Sequence, residues 1–140
     1  MEVLQRALTG AAGTVHVHLC FGYAAMVADR PEGYSFLPEL ADVPADVLSV
    51  ETAQSHLDPA TLRPLRGQGI ALGVLDLSTP EVETPEVIAD RVRRALDHVD
   101  VDKLMLSSDC GLKYLPRASA AGKMRSLAQA AATLRTELGR

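Results

Sequence analysis

Four short runs of β-branched and aliphatic residues recur along this chain, and each is followed by a polar or Gly/Pro-marked loop and then by a helical pattern. The runs are about 23 to 34 residues apart, which is too far for hairpins and enough for a helical crossover. Crossovers of this kind join parallel strands and are right-handed. The predicted strands are 14–19, 47–51, 70–77 and 103–107. The sequence therefore predicts an α/β fold of four parallel βα units.

Two of the intervening helices have clear signals. Thr84 followed by Pro85 is typical of a helix start, and the apolar residues that follow form one stripe at Ile88, Val92, Ala95, Leu96 and Val99. A last helix is predicted over 119–138. Its expected apolar stripe is Met124, Leu127, Ala128, Ala131, Leu134 and Leu138, with Lys123, Arg125, Arg135 and Glu137 elsewhere. Shorter helices are expected at 1–8, 36–41 and 59–65.

Length limits the architecture, because 140 residues correspond to a single domain, here residues 1–140. Four βα units are half of a (β/α)8 barrel, which typically needs about 250 residues. The chain is either a small open sheet or the second half of a barrel. In the second case the other half is a separate chain, a second copy, or lies outside this sequence. An open half would expose two strand edges and an apolar interior face.

Composition argues against several classes of partner. Lysine and arginine total 14 and aspartate and glutamate 18, a net charge of −4, which argues against nucleic acid and anionic membranes as partners. The sequence contains no apolar window long enough to span a bilayer and no signal-peptide pattern at its first residues, so we expect a cytosolic protein. Cys20 and Cys110 are the only cysteines, and in a reducing compartment they are expected as thiols or metal ligands.

Polar residues alternate with apolar ones along the first predicted strand. His16, His18 and Cys20 project to one face, while Val15, Val17 and Leu19 take the other. With helices packed on the apolar side, the polar face points into a barrel or cleft, and Cys20 lies at the C-terminal mouth, where such folds keep their active sites. The alternative is a pair of hydrogen-bonded interior histidines beside a buried thiol.

The other strands end in further ligand-type residues at the same rim, namely Glu51, Asp76 and Cys110. One histidine, two thiolates and one carboxylate match the ligand chemistry of zinc, and the predicted metal ligands are His18, Cys20, Glu51 and Cys110. Glu51, the hardest ligand, is the one expected to yield to an incoming thiol. Zinc would hold that thiol as a thiolate at neutral pH, which is an alkyl-transfer mechanism.

Five further residues receive secondary roles. Asp76, Ser78 and Lys113 are candidates for substrate binding, although loop hydrogen bonding or solvation would explain each of them. His16 lies about 6 to 7 Å below His18 by strand rise, which favours an outer-shell role over ligation. Asp109 either accepts a hydrogen bond from a ligand or caps the turn that follows it.

Three motifs resemble those of the cobalamin-independent methionine synthases, in the wider superfamily that includes uroporphyrinogen decarboxylase. His18-Leu19-Cys20 is similar to the family's zinc pair, Val50-Glu51-Thr52 to its carboxylate strand end, and the segment 108–113, Ser-Asp-Cys-Gly-Leu-Lys, to that bearing its last zinc thiolate. The resemblance runs from about Thr14 to the C-terminus. It implies the C-terminal half of a (β/α)8 barrel that binds zinc through His18, Cys20, Glu51 and Cys110.

The implied reaction is methyl transfer from a methylated folate to homocysteine. Methionine synthases have a histidine shortly before the serine-proline of the third strand's loop, whereas this chain has the run 76–80, Asp-Leu-Ser-Thr-Pro. Relatives with the same zinc motif, such as epoxyalkane:coenzyme M transferase, alkylate other thiols. A half-barrel that binds zinc without catalysis is the second hypothesis. A metal-free decarboxylase-like relative is the third, and the paired thiols argue against it.

Overall fold

The computed structural model describes residues 2–23, 26–27, 29, 31, 33–65 and 67–140. In this part of the chain four strands form one parallel sheet in the order β1-β2-β3-β4. Their bounds are His16–Leu19 (β1), Val47–Val50 (β2), Gly69–Gly73 (β3) and Leu104–Ser107 (β4). Each predicted run supplies one strand, and the strands are shorter than the runs. The prediction of four parallel βα units is confirmed.

The helices are Glu2–Leu8 (α1), Leu37–Leu40 (α2), Pro85–Leu96 (α3) and Arg117–Glu137 (α4), with 3₁₀ helices at Pro59–Leu65 and Val101–Lys103. The start of α3 is as predicted, because Thr84 Oγ1 accepts a hydrogen bond from the Val87 N–H at 3.3 Å and Pro85 opens the first turn. Within the described residues, no helix has both the length and the apolar content needed to cross a membrane.

The two faces of the sheet differ in chemistry. Leu48, Val50, Ile70 and Leu72 belong to the main apolar core, together with Ile88, Ala89, Val92 and Ala95 of α3. Because successive strand residues point to opposite faces, the other face carries the alternate positions of the four strands. These are His16, His18, Val47, Ser49, Gly69, Ala71, Gly73, Met105 and Ser107.

The face opposite the core corrects one expectation. An open half-barrel was expected to expose an apolar interior face, whereas alternation along the first strand placed His16 and His18 there. The exposed side chains on this face are His16, His18 and Met105, and the positions around them are mostly small or polar. The apolar residues Val47 and Ala71 also lie here, but they are buried. The face therefore offers hydrogen-bonding and ligand groups at the level where the site lies.

Helix α4 packs in a different rotation from the one that its apolar residues predict. Its buried residues are Gly122, Lys123, Ser126, Ala130 and Leu134, whereas Met124 and Leu138 are 45% and 41% exposed. The small residues let α4 approach closely, since a Cβ on Gly122 would lie 2.7 Å from Val82 Cγ2. Close packing through a small-residue stripe overrides the expected Leu/Met stripe.

Lys123, expected outside that stripe, is wholly buried because it has a partner. Its Nζ lies 2.7 Å from Glu83 Oε2 and 2.8 Å from the carbonyl oxygen of Asp76. Glu83 also accepts a hydrogen bond from Arg91 Nη1 at 3.1 Å and from the Asp76 N–H at 2.7 Å. This ion cluster ties α3 and α4 to the loop that follows β3.

Candidate metal centre

Three predicted ligands come together at the C-terminal mouth of the sheet. His18 is in β1, Cys20 directly follows that strand, and Cys110 lies in the loop after β4. One donor atom from each residue lies within 4.8 Å of the others, and the two Sγ atoms are 3.8 Å apart. Both cysteines are free thiols.

The curvature of the sheet produces this convergence. β1 and β4 are the outermost strands of the described sheet, and in a flat sheet three strand spacings would separate them by about 14 Å. Cys20 and Cys110 meet because the sheet curls toward the face that carries His18. Such curling is the geometry of a barrel wall.

The two sulfurs have the spacing that a tetrahedral zinc requires. Sulfurs bound to one zinc at about 2.3 Å lie about 3.8 Å from each other in a tetrahedron, which equals the observed Sγ–Sγ separation of 3.8 Å. A nitrogen and two sulfurs are also the donor types that zinc prefers. The residues present therefore fit the metal.

Glu51 lies next to this group of three and outside it. Its carboxylate is fully buried; Oε2 accepts from the Phe21 N–H at 3.1 Å and Oε1 from the Gln54 side-chain amide at 3.2 Å. Because Phe21 directly follows Cys20, the first of these bonds couples the carboxylate to the ligand loop. The structure thus brings together three of the four predicted metal ligands and places the fourth beside them.

The electrostatics of the thiols suit a cation. Burial raises the pKa of the Cys20 thiol, and its hydrogen bond with Cys110 and the negative charges of Cys110 and Glu51 act in the same direction. Ionised sulfurs and a carboxylate this close together repel one another. A bound divalent cation would remove that repulsion.

Asp109 holds the two ligand loops together. Its fully buried carboxylate accepts hydrogen bonds from the N–H groups of Thr52, Ala53 and Gln54 at 3.3, 3.2 and 2.5 Å. Burial raises the pKa of Asp109 to about 7, against the effect of these three donors. The sequence left two partners open for Asp109, a metal ligand or the turn that follows it. The carboxylate instead accepts hydrogen bonds from the loop after Glu51.

Asp109 also requires a glycine opposite it. A Cβ on Gly73, the last residue of β3, would lie 2.3 Å from Asp109 Oδ1 and 2.9 Å from the carbonyl oxygen of Val50. No side chain fits at these distances, so the glycine is what permits Asp109 to reach the loop after β2.

The sequence did not single out an aromatic pair, Tyr23 and Tyr114, of which Tyr23 contacts Cys110. The rings of Tyr23 and Tyr114 meet edge to face, with centroids 4.6 Å apart, and a hydrogen bond with Cys110 raises the pKa of Tyr23 to about 12. Lys113 Nζ lies 5.5 and 4.8 Å from the two ring centroids. The exposed Lys113 ammonium therefore makes cation–π contacts with both rings, beside the loop that carries Cys110.

The remaining candidates lie outside the donor group. Asp76 Oδ1 accepts from the Ser78 N–H at 2.8 Å and from Ser78 Oγ at 2.6 Å, which is a local turn of the β3–α3 loop. His16 is exposed on β1, two residues before His18. None of these three belongs to the donor group around His18.

Sequence reasoning also passed over Ser49 and Gln54. Ser49 Oγ lies 2.9 Å from His18 Nδ1, and Gln54 bonds the Glu51 carboxylate. Ser49 is two residues before Glu51 on the same predicted strand, so alternation along that strand could have found it. Gln54 lies on a loop, where no periodicity applies.

The chain has relatives among known proteins. Residues 3–133 match the family model described as the catalytic domain of cobalamin-independent synthase. A methionine synthase of Thermococcus kodakarensis is 28% identical over 100% of this chain and 39% of its own length. A 5-methyltetrahydropteroyltriglutamate–homocysteine methyltransferase of Rhodococcus jostii is 35% identical over 89% of this chain and 16% of its own length.

A solved structure is similar over nearly the whole chain. It is a B12-independent methionine synthase from a Shewanella species in complex with selenomethionine, with a TM-score of 0.86 and 30% identity over 98% of this chain and 43% of that one. The chain thus spans less than half of each of these proteins, and its four strands correspond to half of a barrel, as predicted. By fold and by sequence, the chain belongs to the cobalamin-independent synthase family, within the catalytic domain.

Proposed function

We propose that this chain is the zinc-bearing half of a methyltransferase that methylates a thiol, with homocysteine as the acceptor and a methylated folate as the donor. The observation that carries the proposal is the convergence of His18, Cys20 and Cys110 donor atoms within 4.8 Å at the strand ends. The names of the Thermococcus and Rhodococcus relatives supply the acceptor and the reaction class.

In this proposal His18, Cys20 and Cys110 hold the zinc, and Glu51 is the fourth ligand. Bound zinc would lower the pKa of the substrate thiol so that it is a thiolate, and hence a nucleophile, at neutral pH. The hydrogen bonds from Phe21 and Gln54 hold the Glu51 carboxylate where it can yield to that thiol. Asp109 keeps the loops of Glu51 and Cys110 in register.

Methyl transfer from a folate to a thiol also requires a proton to leave the thiol and a proton to reach the donor nitrogen. The S–CH₃ bond forms as the N–CH₃ bond of the donor breaks, the thiol gives up its proton, and the donor nitrogen gains one. The loop 76–80 of this chain offers an aspartate and a serine and no histidine for that delivery. This difference leaves a methyl donor other than a methylated folate as an alternative. A different acceptor thiol, such as coenzyme M, is the other alternative within the same chemistry.

Asp76, Ser78 and Lys113 remain proposed substrate contacts, and His16 an outer-shell residue. Lys113 has the strongest support, since its ammonium stands on two rings beside the Cys110 loop and can pair with a substrate carboxylate. Asp76 and Ser78 have less support, because their side chains are hydrogen-bonded to each other.

A partner that completes the barrel is part of the proposal. In the described sheet β1 pairs with β2 alone and β4 pairs with β3 alone, so each has one open edge. A complementary barrel half or a second copy would cover those edges. We treat residues 1–140 as one half-barrel domain. A reducing cytosol would keep both thiols available to the metal. A zinc-binding half-barrel without catalysis is the competing function.

Thiol activation can be tested in this chain. The zinc-loaded protein is mixed at pH 7 with homocysteine or coenzyme M, and the protons released per chain are followed with an indicator dye. We expect about one proton for the true acceptor and none with Cys20→Ser. Mass spectrometry then follows methionine formation from a methylated folate. Absence of proton release with both thiols in a zinc-loaded protein would contradict thiol activation and favour the non-catalytic function.

A further inference from the structure

We propose that Ser49 is a positioning residue for the metal centre, which fixes the ring of His18 through Nδ1 and thereby assigns Nε2 as the metal-binding nitrogen. The inference rests on the proposed zinc site and adds a residue to it. The observation behind it is the separation of 2.9 Å between Ser49 Oγ and His18 Nδ1.

Sheet register places the two side chains together. β1 and β2 are parallel, and His18 is the direct partner of Ser49, so both side chains stand on the same face of adjacent strands. Ser49 is also paired on its other side, with Ala71 of β3. Its backbone is therefore held by two neighbouring strands, and the hydroxyl needs only one torsion to be set.

The chemistry of imidazole gives this contact its consequence. A neutral imidazole carries one N–H and one lone pair, and coordination needs the lone pair. When Nδ1–H donates to Ser49 Oγ, the lone pair is on Nε2. The reverse arrangement, with the Ser49 hydroxyl donating to Nδ1, would leave a proton on Nε2 and block coordination there. Metal binding thus selects the form in which the serine oxygen accepts.

A serine acceptor also suits the charge of this site. Ligating histidines often donate to a carboxylate or a backbone carbonyl. In the zinc-bound site two thiolates and the Glu51 carboxylate would supply three negative charges, and a neutral hydroxyl would orient the ring without adding a fourth.

The test uses a pair of isosteric substitutions, Ser49→Thr and Ser49→Val. Both are β-branched residues suited to a strand, and they differ by one hydroxyl group. Zinc affinity is measured by competition with a chromophoric chelator. We expect Ser49→Thr to stay near wild type and Ser49→Val to bind zinc about 10- to 100-fold more weakly. Ser107→Ala, on the same face of β4, is the control and should bind zinc as wild type does.

Nitrogen-15 NMR of the zinc-loaded wild type reports which ring nitrogen of His18 is protonated, and a purely structural role of Ser49 would not affect that. We expect His18 to show a protonated Nδ1 and a metal-bound Nε2, and apo-protein melting temperatures should match for the Thr and Val variants. Equal zinc affinity for the two variants, or coordination through Nδ1, would overturn the role of Ser49 while the zinc site stood. A wild-type protein that binds no zinc would overturn the proposed function, and this inference with it.

Discussion

The thiols of Cys20 and Cys110 lie 90 positions apart in the chain, yet their Sγ atoms are separated by only 3.8 Å. The two residues follow the first and last strands of the sheet, so their proximity depends on the curl of the sheet and on the loops that Asp109 joins. Changes that flatten the sheet or release those loops should therefore separate the thiols.

Gly73→Ala tests the close approach of β3 to Asp109. The added Cβ would lie 2.3 Å from Asp109 Oδ1, so the loop must shift, and we expect the free energy of unfolding to fall by about 2 kcal/mol. Zinc affinity should fall with it. Gly67→Ala is the matched control, because nothing lies within 4 Å of its added Cβ. Urea unfolding of both variants decides the matter; equal stabilities would show that the Asp109 contact tolerates a side chain.

Lys123→Met tests the buried ion cluster under α4. The substitution keeps the length of the side chain but leaves Glu83, whose side chain is 10% exposed, with Arg91 as its remaining cationic partner. Removing one member of a buried pair typically costs about 3 kcal/mol or more. Arg125→Met, at an exposed position of the same helix, should change stability by less than about 0.5 kcal/mol. Similar losses in the two variants would argue against the buried pair.

The same cluster predicts a pH dependence of stability. Burial acts to raise the pKa of Glu83, but the hydrogen bonds from Lys123, Asp76 and Arg91 outweigh it, and the net pKa lies below the ordinary value of 4.5. A lowered folded-state pKa stabilises the protein above pH 4.5, and that contribution is lost as the pH falls through the folded-state value. The stability difference between wild type and Glu83→Gln should therefore be constant above about pH 5 and shrink in acid. A difference that grows below pH 4.5 would reverse the sign of the shift.

The two thiols should also report on metal loading through oxidation. A disulfide needs the sulfurs at about 2.05 Å, so small loop movements suffice in the metal-free protein. With diamide as oxidant, each thiol loses a hydrogen, an S–S bond forms, and diamide is reduced to its hydrazine. We expect rapid loss of both free thiols without zinc and protection with zinc. Equal oxidation rates, measured with a chromogenic thiol reagent, would show that zinc does not engage both sulfurs.

The features of the fold that the sequence predicted correctly are those that depend on neighbouring residues in the chain. The Thr84 and Pro85 signal located the start of α3 because capping involves only neighbouring residues. The predicted rotation of α4 was wrong, because the packing of this helix depends on the contact of Gly122 with Val82 and on the ion pair of Lys123 with Glu83. Those contacts join residues about 40 positions apart, which no helical periodicity reveals.

The same distinction between local pattern and long-range contact applies to the site. Alternation along β1 indicated His18 and Cys20, and their predicted neighbour Cys110 lies beside them. The roles of Asp109 and Tyr23 depend on which loop each side chain reaches, and alternation along a strand does not determine that. The sequence places residues at the rim, whereas the tertiary structure determines which of them touch.

Zinc content is the most direct measurement of the central claim. Elemental analysis of the purified protein, with the mass of its oligomer from the same sample, should give about one zinc per chain. The metal should be lost in Cys110→Ser, and Cys110 should be required even though Ser replaces it with nearly the same shape. A wild-type protein that holds no zinc after reconstitution under reducing conditions, or a Cys110→Ser variant that retains it, would contradict the assignment of this centre.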